Sequence, residues 1–191
     1  MFNKKLPGYT LIELMVVFSM IGIFTVLTIP SYIKFNRTQE IKQAALLLKS
    51  KIRDAQNRSF SGEKSQTVCT ESNVLEGFFV ETTINSQTIK TGGSCGGVEF
   101  NTEDTNFVSP NAKIVDMHNV SGGTCGALTL TGNNMRINFR PIGKGVDFYD
   151  WTTRLILAVT KISLKVADTN GNYYYVIISS AGDIYDSSKC I

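Results

Sequence analysis

Residues 14–33, LMVVFSMIGIFTVLTIPSYI, run for twenty positions without a charged side chain. At about 1.5 Å per helical residue that length matches a hydrocarbon layer of about 30 Å. Further along, the apolar positions narrow to one face: Ile41, Ala44, Ala45, Leu48, Ile52 and Ala55 recur mainly at three- and four-residue spacing among Lys42, Gln43, Lys49, Lys51, Arg53 and Asp54. The pattern predicts a membrane-type helix continued by an amphipathic one that packs on a globular part. Gly62, just after Ser61 where the period ends, predicts the C-terminal cap. Pro30 lacks an amide hydrogen and clashes with the preceding turn, so with Gly22 nearby a kink or local opening is expected around residues 25–30.

From Val68 onward the helical period gives way to short β-type runs separated by turn clusters. Strands are predicted at 78–84, 87–91, 113–120, 127–131, 135–139, 154–166 and 173–179. Asn170-Gly171 predicts a hairpin turn because both residues tolerate positive φ, and Gly132-Asn133-Asn134 reads similarly. The fold class expected is α+β: a long N-terminal helix, half transmembrane and half amphipathic, packed on an antiparallel β-sheet or small β-sandwich. With 191 residues the chain has room for one ordinary domain plus an extra element.

Charge and cysteines narrow the picture. The formal charge is +3, but without Lys4 and Lys5 there remain 17 basic and 16 acidic side chains, which is no polyelectrolyte-binding balance. Cys69, Cys95, Cys125 and Cys190 contain no C-x-x-C pair, and His118 is the one histidine, so neither a zinc site nor a redox motif is indicated. Two disulfides in an exported domain fit these cysteines better. Three connectivities are open; Cys69 with Cys95 and Cys125 with Cys190 is preferred, because the first pair brackets a predicted hairpin and the second anchors the C-terminus. The glycine-rich runs around Cys95 and Cys125 lack the Lys-Ser/Thr of a phosphate loop and are expected to be mobile loops tethered at cysteine.

An ordinary secretory signal places its small residues after the apolar region, whereas Gly8 lies before it, so any cleavage leaves the helix attached. Lys4-Lys5-Leu6-Pro7-Gly8, followed by Tyr9-Thr10-Leu11-Ile12-Glu13-Leu14-Met15-Val16-Val17, resembles the type IV prepilin signal of pilins and type II secretion pseudopilins. The resemblance implies removal of a leader, 1–8, after Gly8 and methylation of the new N-terminus at Tyr9, where the family usually has Phe. It further implies a filament-core helix over 9–33, its amphipathic continuation over 34–62 and a β-rich head over 63–191. Pro30 matches a helix-kinking proline of many pilins. Glu13, an ionisable group beside an apolar span, needs a partner, and the resemblance supplies one in the N-terminal amine of a neighbouring subunit. A plain signal anchor with Glu13 snorkelling to the interface is the competing reading.

The implied partners are other pilin or pseudopilin subunits, the cytoplasmic membrane, and a prepilin peptidase and methyltransferase. The chain would sit in the cytoplasmic membrane with its N-terminus inside and its head exported, then pass into a filament. No cofactor or metal is called for. Residues 135–185, with Phe139-Arg140-Pro141-Ile142-Gly143 and the later Ala181-Gly182 turn, resemble the C-terminal half of H-type pseudopilins and FimT-type minor pilins.

Two other functions compete with this reading. Arg136, Arg140, Lys144, Arg154 and Tyr173-Tyr174-Tyr175 invite binding of single-stranded DNA, as in a DNA-uptake pilus, but the C-terminal region carries Asp183 and Asp186. A membrane-anchored hydrolase would rest on His118 with Asp116 two residues before it, and no nucleophile is assignable beside them. Glu103-Asp104, Asp147, Asp150 and Asp183 are scattered carboxylates, and Asp168-Thr169-Asn170-Gly171-Asn172 lacks the closing Glu of a calcium loop.

Overall fold

The computed structural model describes residues 8–143 and 145–190, and within these the side chains of residues 27–30 lie outside the description. One helix, α1 (Leu11–Ser61), is followed by eleven strands: β1 (Leu75–Thr83), β2 (Thr88–Cys95), β3 (Val98–Asn106), β4 (Lys113–Ser121), β5 (Thr124–Ala127), β6 (Asn134–Phe139), β7 (Val146–Asp150), β8 (Leu155–Ile156), β9 (Lys161–Ala167), β10 (Tyr173–Ser179) and β11 (Ile184–Ser187). The chain divides into two units between Thr38 and Gln39. α1 is assigned as helix across Pro30. Its end is a Schellman motif: Gly62 has φ +65°, its N–H donates to the Ser59 carbonyl, and the Glu63 N–H donates to that of Arg58.

The second unit holds residues 39–61 of α1 and two antiparallel sheets, one in the order β3-β2-β1-β6-β7-β8 and the other β11-β10-β9-β4-β5. Register pairs Phe78, Val80 and Thr82 of β1 with Phe139, Ile137 and Met135 of β6, so all six share one buried face. In the second sheet Ile162 and Leu164 of β9 lie beside Ile178 and Val176 of β10. Ile41, Ala44, Ala45, Leu48, Ile52 and Ala55, the apolar face read from the spacing, are all buried in the same core. The polar flanks of the helix tie it to both sheet edges. Lys51 pairs with Glu103 on β3 at 2.9 Å; Lys49 pairs with Asp186 on β11, and Arg53 donates to the Ile184 carbonyl at 2.7 Å.

The predicted strand over 154–166 is two strands in different sheets, β8 and β9. The chain changes sheet through residues 157–160, where Leu157 and Val159 pack on the core. The strand expected at 127–131 falls instead on 124–127; beyond it Leu128 packs against the core and Leu130 is buried within it while the chain passes to β6. β3, β7 and β11 were not predicted. β3 buries only Phe100 and takes its strand conformation from pairing with β2.

The glycine-rich runs are hairpin turns, not tethered loops. Gly96 and Gly97 link β2 to β3, and Gly122 and Gly123 link β4 to β5, all four with positive φ as a type I′ turn demands. Gly93 lies in β2, where an added Cβ would come within 2.3 Å of the Phe100 ring. The β9–β10 connection is longer than an Asn-Gly turn: Asp168 gathers the N–H groups of Asn170 (2.8 Å) and Asn172 (2.9 Å).

The disulfides are Cys69–Cys95 and Cys125–Cys190, as preferred from the sequence. Non-reducing peptide mapping should recover these two cross-links alone, and replacing either pair by serine should lower stability by about 2–5 kcal/mol. In the core, Leu48→Ala or Ile52→Ala should cost about 2–5 kcal/mol in denaturant unfolding. Leu46→Ala, on the exposed side of α1, should stay within about 0.5 kcal/mol.

Candidate functional site

Residues 11–26 of α1 are exposed at every position, Leu11 at 77%, Ile12 at 70% and Val26 at 72%. Successive residues turn about 100° around the helix, so its entire circumference is apolar and uncovered. At about 25 cal/mol per Å² such a surface is strongly driven out of water, into lipid or against other helices. The few polar groups fit that fate. Ser19 Oγ donates to the Met15 carbonyl at 2.8 Å and Thr25 Oγ1 to that of Ile21 at 2.7 Å, so neither hydroxyl needs an outside partner.

At the start of the helix, Thr10 and Glu13 form a capping box. Glu13 Oε2 accepts from the Thr10 N–H and from Thr10 Oγ1, both at 3.2 Å, and the Glu13 N–H donates to Thr10 Oγ1 at 3.3 Å. The carboxylate also sits at the positive end of the helix dipole. Sequence reading sought Glu13's partner in another subunit and passed over this local one, although Thr-x-x-Glu before an apolar run is its signature. Tyr9 is 82% exposed, and nothing approaches within 4 Å of a Cβ built on Gly8. Among the described residues, none crowds the Gly8–Tyr9 linkage. Residues 1–7, with Lys4 and Lys5, lie outside the described residues, as does the Pro30 side chain.

The arginines weighed for DNA binding lie on the first sheet but are engaged. Arg136, 5% exposed, is held by Glu81 at 2.8 Å and by Glu99, and Arg140 pairs with Asp147. Arg154 stacks on Trp151 with its guanidinium carbon 3.9 Å from the ring centre. Lys144 is outside the described residues. The three tyrosines divide between faces: Tyr174 packs toward the core, while Tyr173 and Tyr175 lie together on the other side with ring centres 5.5 Å apart.

His118 Nε2 lies 3.2 Å from Asp116 Oδ2, on the shared face that the strand period predicts. Opposite His118 on β9 stands Ser163, wholly buried; its hydroxyl and His118 Nδ1 are both without a hydrogen-bond partner. The carboxylates are dispersed among separate tasks. Glu103 holds Lys51, Asp183 accepts from the Ser179 hydroxyl at 3.1 Å, and Asp150 accepts backbone N–H groups from Thr131, Thr152 and Thr153. Burial opposes the Asp150 charge, but those three donors outweigh it and hold the carboxyl below its ordinary range. Burial likewise opposes the charge of Glu99, and its bonds from Arg136 and Lys90 overcome it in the same direction.

Both depressed carboxyls stabilise the head above about pH 4, and that contribution is lost as pH falls below it through their lowered folded-state values. Asp150→Asn should therefore lower the melting temperature at neutral pH and flatten its fall in acid. Arg136→Glu places a third negative charge, itself buried, beside the half-buried Glu81 and Glu99 and should cost about 3–5 kcal/mol. The same reversal at exposed Arg154 should stay within about 1 kcal/mol, so it tests anion binding where Arg136 does not.

Over 65 residues, 34% of its length, the chain is 42% identical to the type IV major pilin protein PilA of Myxococcus xanthus (strain DK1622). The matched stretch covers 29% of that protein, so the chain spans less than a third of the length of the relative it matches. No family model matches the chain. No solved structure matches it. The similarity and the long apolar N-terminal helix together support a type IV pilin.

Proposed function

We propose that the chain is a structural subunit of a type IV pilus or of a related type II secretion pseudopilus, held in the membrane by the first half of α1 before assembly and polymerised through it afterward. The observation that carries this reading is a helix apolar around its circumference and exposed at every position from residue 11 to 26. The partial identity to a major pilin supports it. In this reading residues 1–8 are a leader removed by a prepilin peptidase, Tyr9 becomes the methylated N-terminus, and the head is exported, where its two disulfides form. Glu13 exchanges its capping contact with Thr10 for the amine of a neighbouring subunit, which fixes the register between helices. The Phe139–Gly143 stretch between β6 and β7 and the Gly182 turn into β11 favour a minor subunit of the H-type or FimT-type kind.

Intact mass spectrometry of the membrane-extracted protein should show a chain beginning at Tyr9 with one added methyl group. Retention of Met1–Gly8 in a host with an active prepilin peptidase would contradict the proposal. Glu13→Ala should still be processed and membrane-bound but should not enter filaments in shear fractions; normal incorporation would remove the register role.

A further inference from the structure

β1, β6 and β7 also have a face turned away from the core. Register sets Phe79 beside Asn138, Glu81 beside Arg136, Arg136 beside Tyr149, and Asn138 beside Asp147. A cleft of about 420 Å³ opens there, bordered by Trp151 and Arg154 from the β7–β8 turn and by Glu76 and Ser94. Its volume falls in the range of small-molecule sites, about 300–1,000 Å³. The base is stiff. The Arg136 guanidinium carbon lies 3.7 Å from the Phe79 ring centre and 3.2 Å from that of Trp151, between its two glutamates. Asp150 pins the turn that carries Trp151 and Arg154, and Arg154 takes a left-handed φ of +59°.

Two buried polar atoms in this lining have no partner. Asn138 is 9% exposed and its Oδ1 is unpaired; Arg136 Nε is unpaired at 5% exposure. Both atoms are enclosed beneath the cleft surface, so they mark an unsatisfied polar floor and not groups that a ligand touches directly. The charges nearly cancel: Arg136 and Arg140 are matched by acidic partners, while Arg154 and Glu76 add one charge of each sign. Phosphate would face Glu76 and Asp147, a cation would face Arg140 and Arg154, and an apolar ligand would cover the Tyr149 and Ser94 hydroxyls. Burial, then the Asp147 charge, pushes the Tyr149 phenol up, so it keeps its proton and donates at neutral pH.

We infer that this cleft binds a pyranose unit of a glycan. Vicinal hydroxyls each donate and accept, which suits a lining where the Asn138 amide, Tyr149 and Ser94 hydroxyls, the Arg140–Asp147 pair and Glu76 alternate donors with acceptors. The inference uses only residues of the second unit and stands apart from the filament assignment.

Trp151 is the chain's one tryptophan, so its fluorescence reports directly on the cleft. The full chain, in a detergent without a sugar headgroup, is titrated with methyl pyranosides of glucose, galactose, mannose and N-acetylglucosamine, and with linear oligosaccharides of the same sugars. A saturable change at millimolar or tighter Kd is expected, weakened about tenfold or more by Asn138→Leu and by Tyr149→Phe. A response to the methyl glycosides identifies a terminal unit, and a response to the oligosaccharides alone an internal one. Tyr149→Phe removes only a hydroxyl, so it decides the matter if Asn138→Leu does not fold. No response to any saccharide up to about 50 mM, a response only to inorganic phosphate or a short oligothymidylate, or wild-type affinity in Tyr149→Phe would overturn the inference.

Discussion

The burial of one helical face, Ile41 to Ala55, among residues of both sheets is the contact on which the head depends. Neither sheet closes on itself, and each has an edge near α1: β3 meets Lys51, and β11 meets Lys49 and Arg53. Removing the helix would expose the apolar faces of β1, β6, β9 and β10 together. The same helix carries, in its first half, a surface that no part of the described chain covers. One continuous element thus follows two patterns, amphipathic where it meets a folded core and uniformly apolar where its surface is exposed.

A second constraint lies outside the core. Arg136 is a buried cation on the far face of the first sheet, tolerable only because two carboxylates and two aromatic rings surround it. Its setting requires the β7–β8 turn to bring Trp151 back over the sheet, which Asp150 secures by collecting three backbone N–H groups. Charge that looked available for nucleic acid when listed along the chain is, in space, largely spent on holding this face together.

The capping box at Thr10 and Glu13 places a local contact beside the intersubunit role proposed for Glu13. A carboxylate paired with its own helix start is kept from lying bare in an apolar setting before assembly. Its partner groups are weakly held and exposed, at 3.2 to 3.3 Å, so a positively charged amine would displace them readily.

Periodicity was sufficient for α1, because a 3.6-residue repeat with a glycine stop is a local property: the predicted apolar face is the buried one, and the helix ends at Ser61 as read. The glycines at 96–97 and 122–123 read as loops from the sequence and are hairpin turns in the fold, because β3 and β5 carry little apolar alternation to announce a strand. The strand over 154–166 was misread because a run of apolar residues does not say where the chain changes sheets. The long helix, its apolar face and its glycine stop follow from the sequence alone, because they rest on short-range period and spacing; the cysteine pairing, one of three connectivities there, joins positions 26 and 65 residues apart and needed the fold. That Arg136 is buried, that Asn138, Tyr149 and Trp151 share one cleft, and that β8 and β9 belong to different sheets came from the tertiary structure, because those facts depend on register between strands distant in the chain.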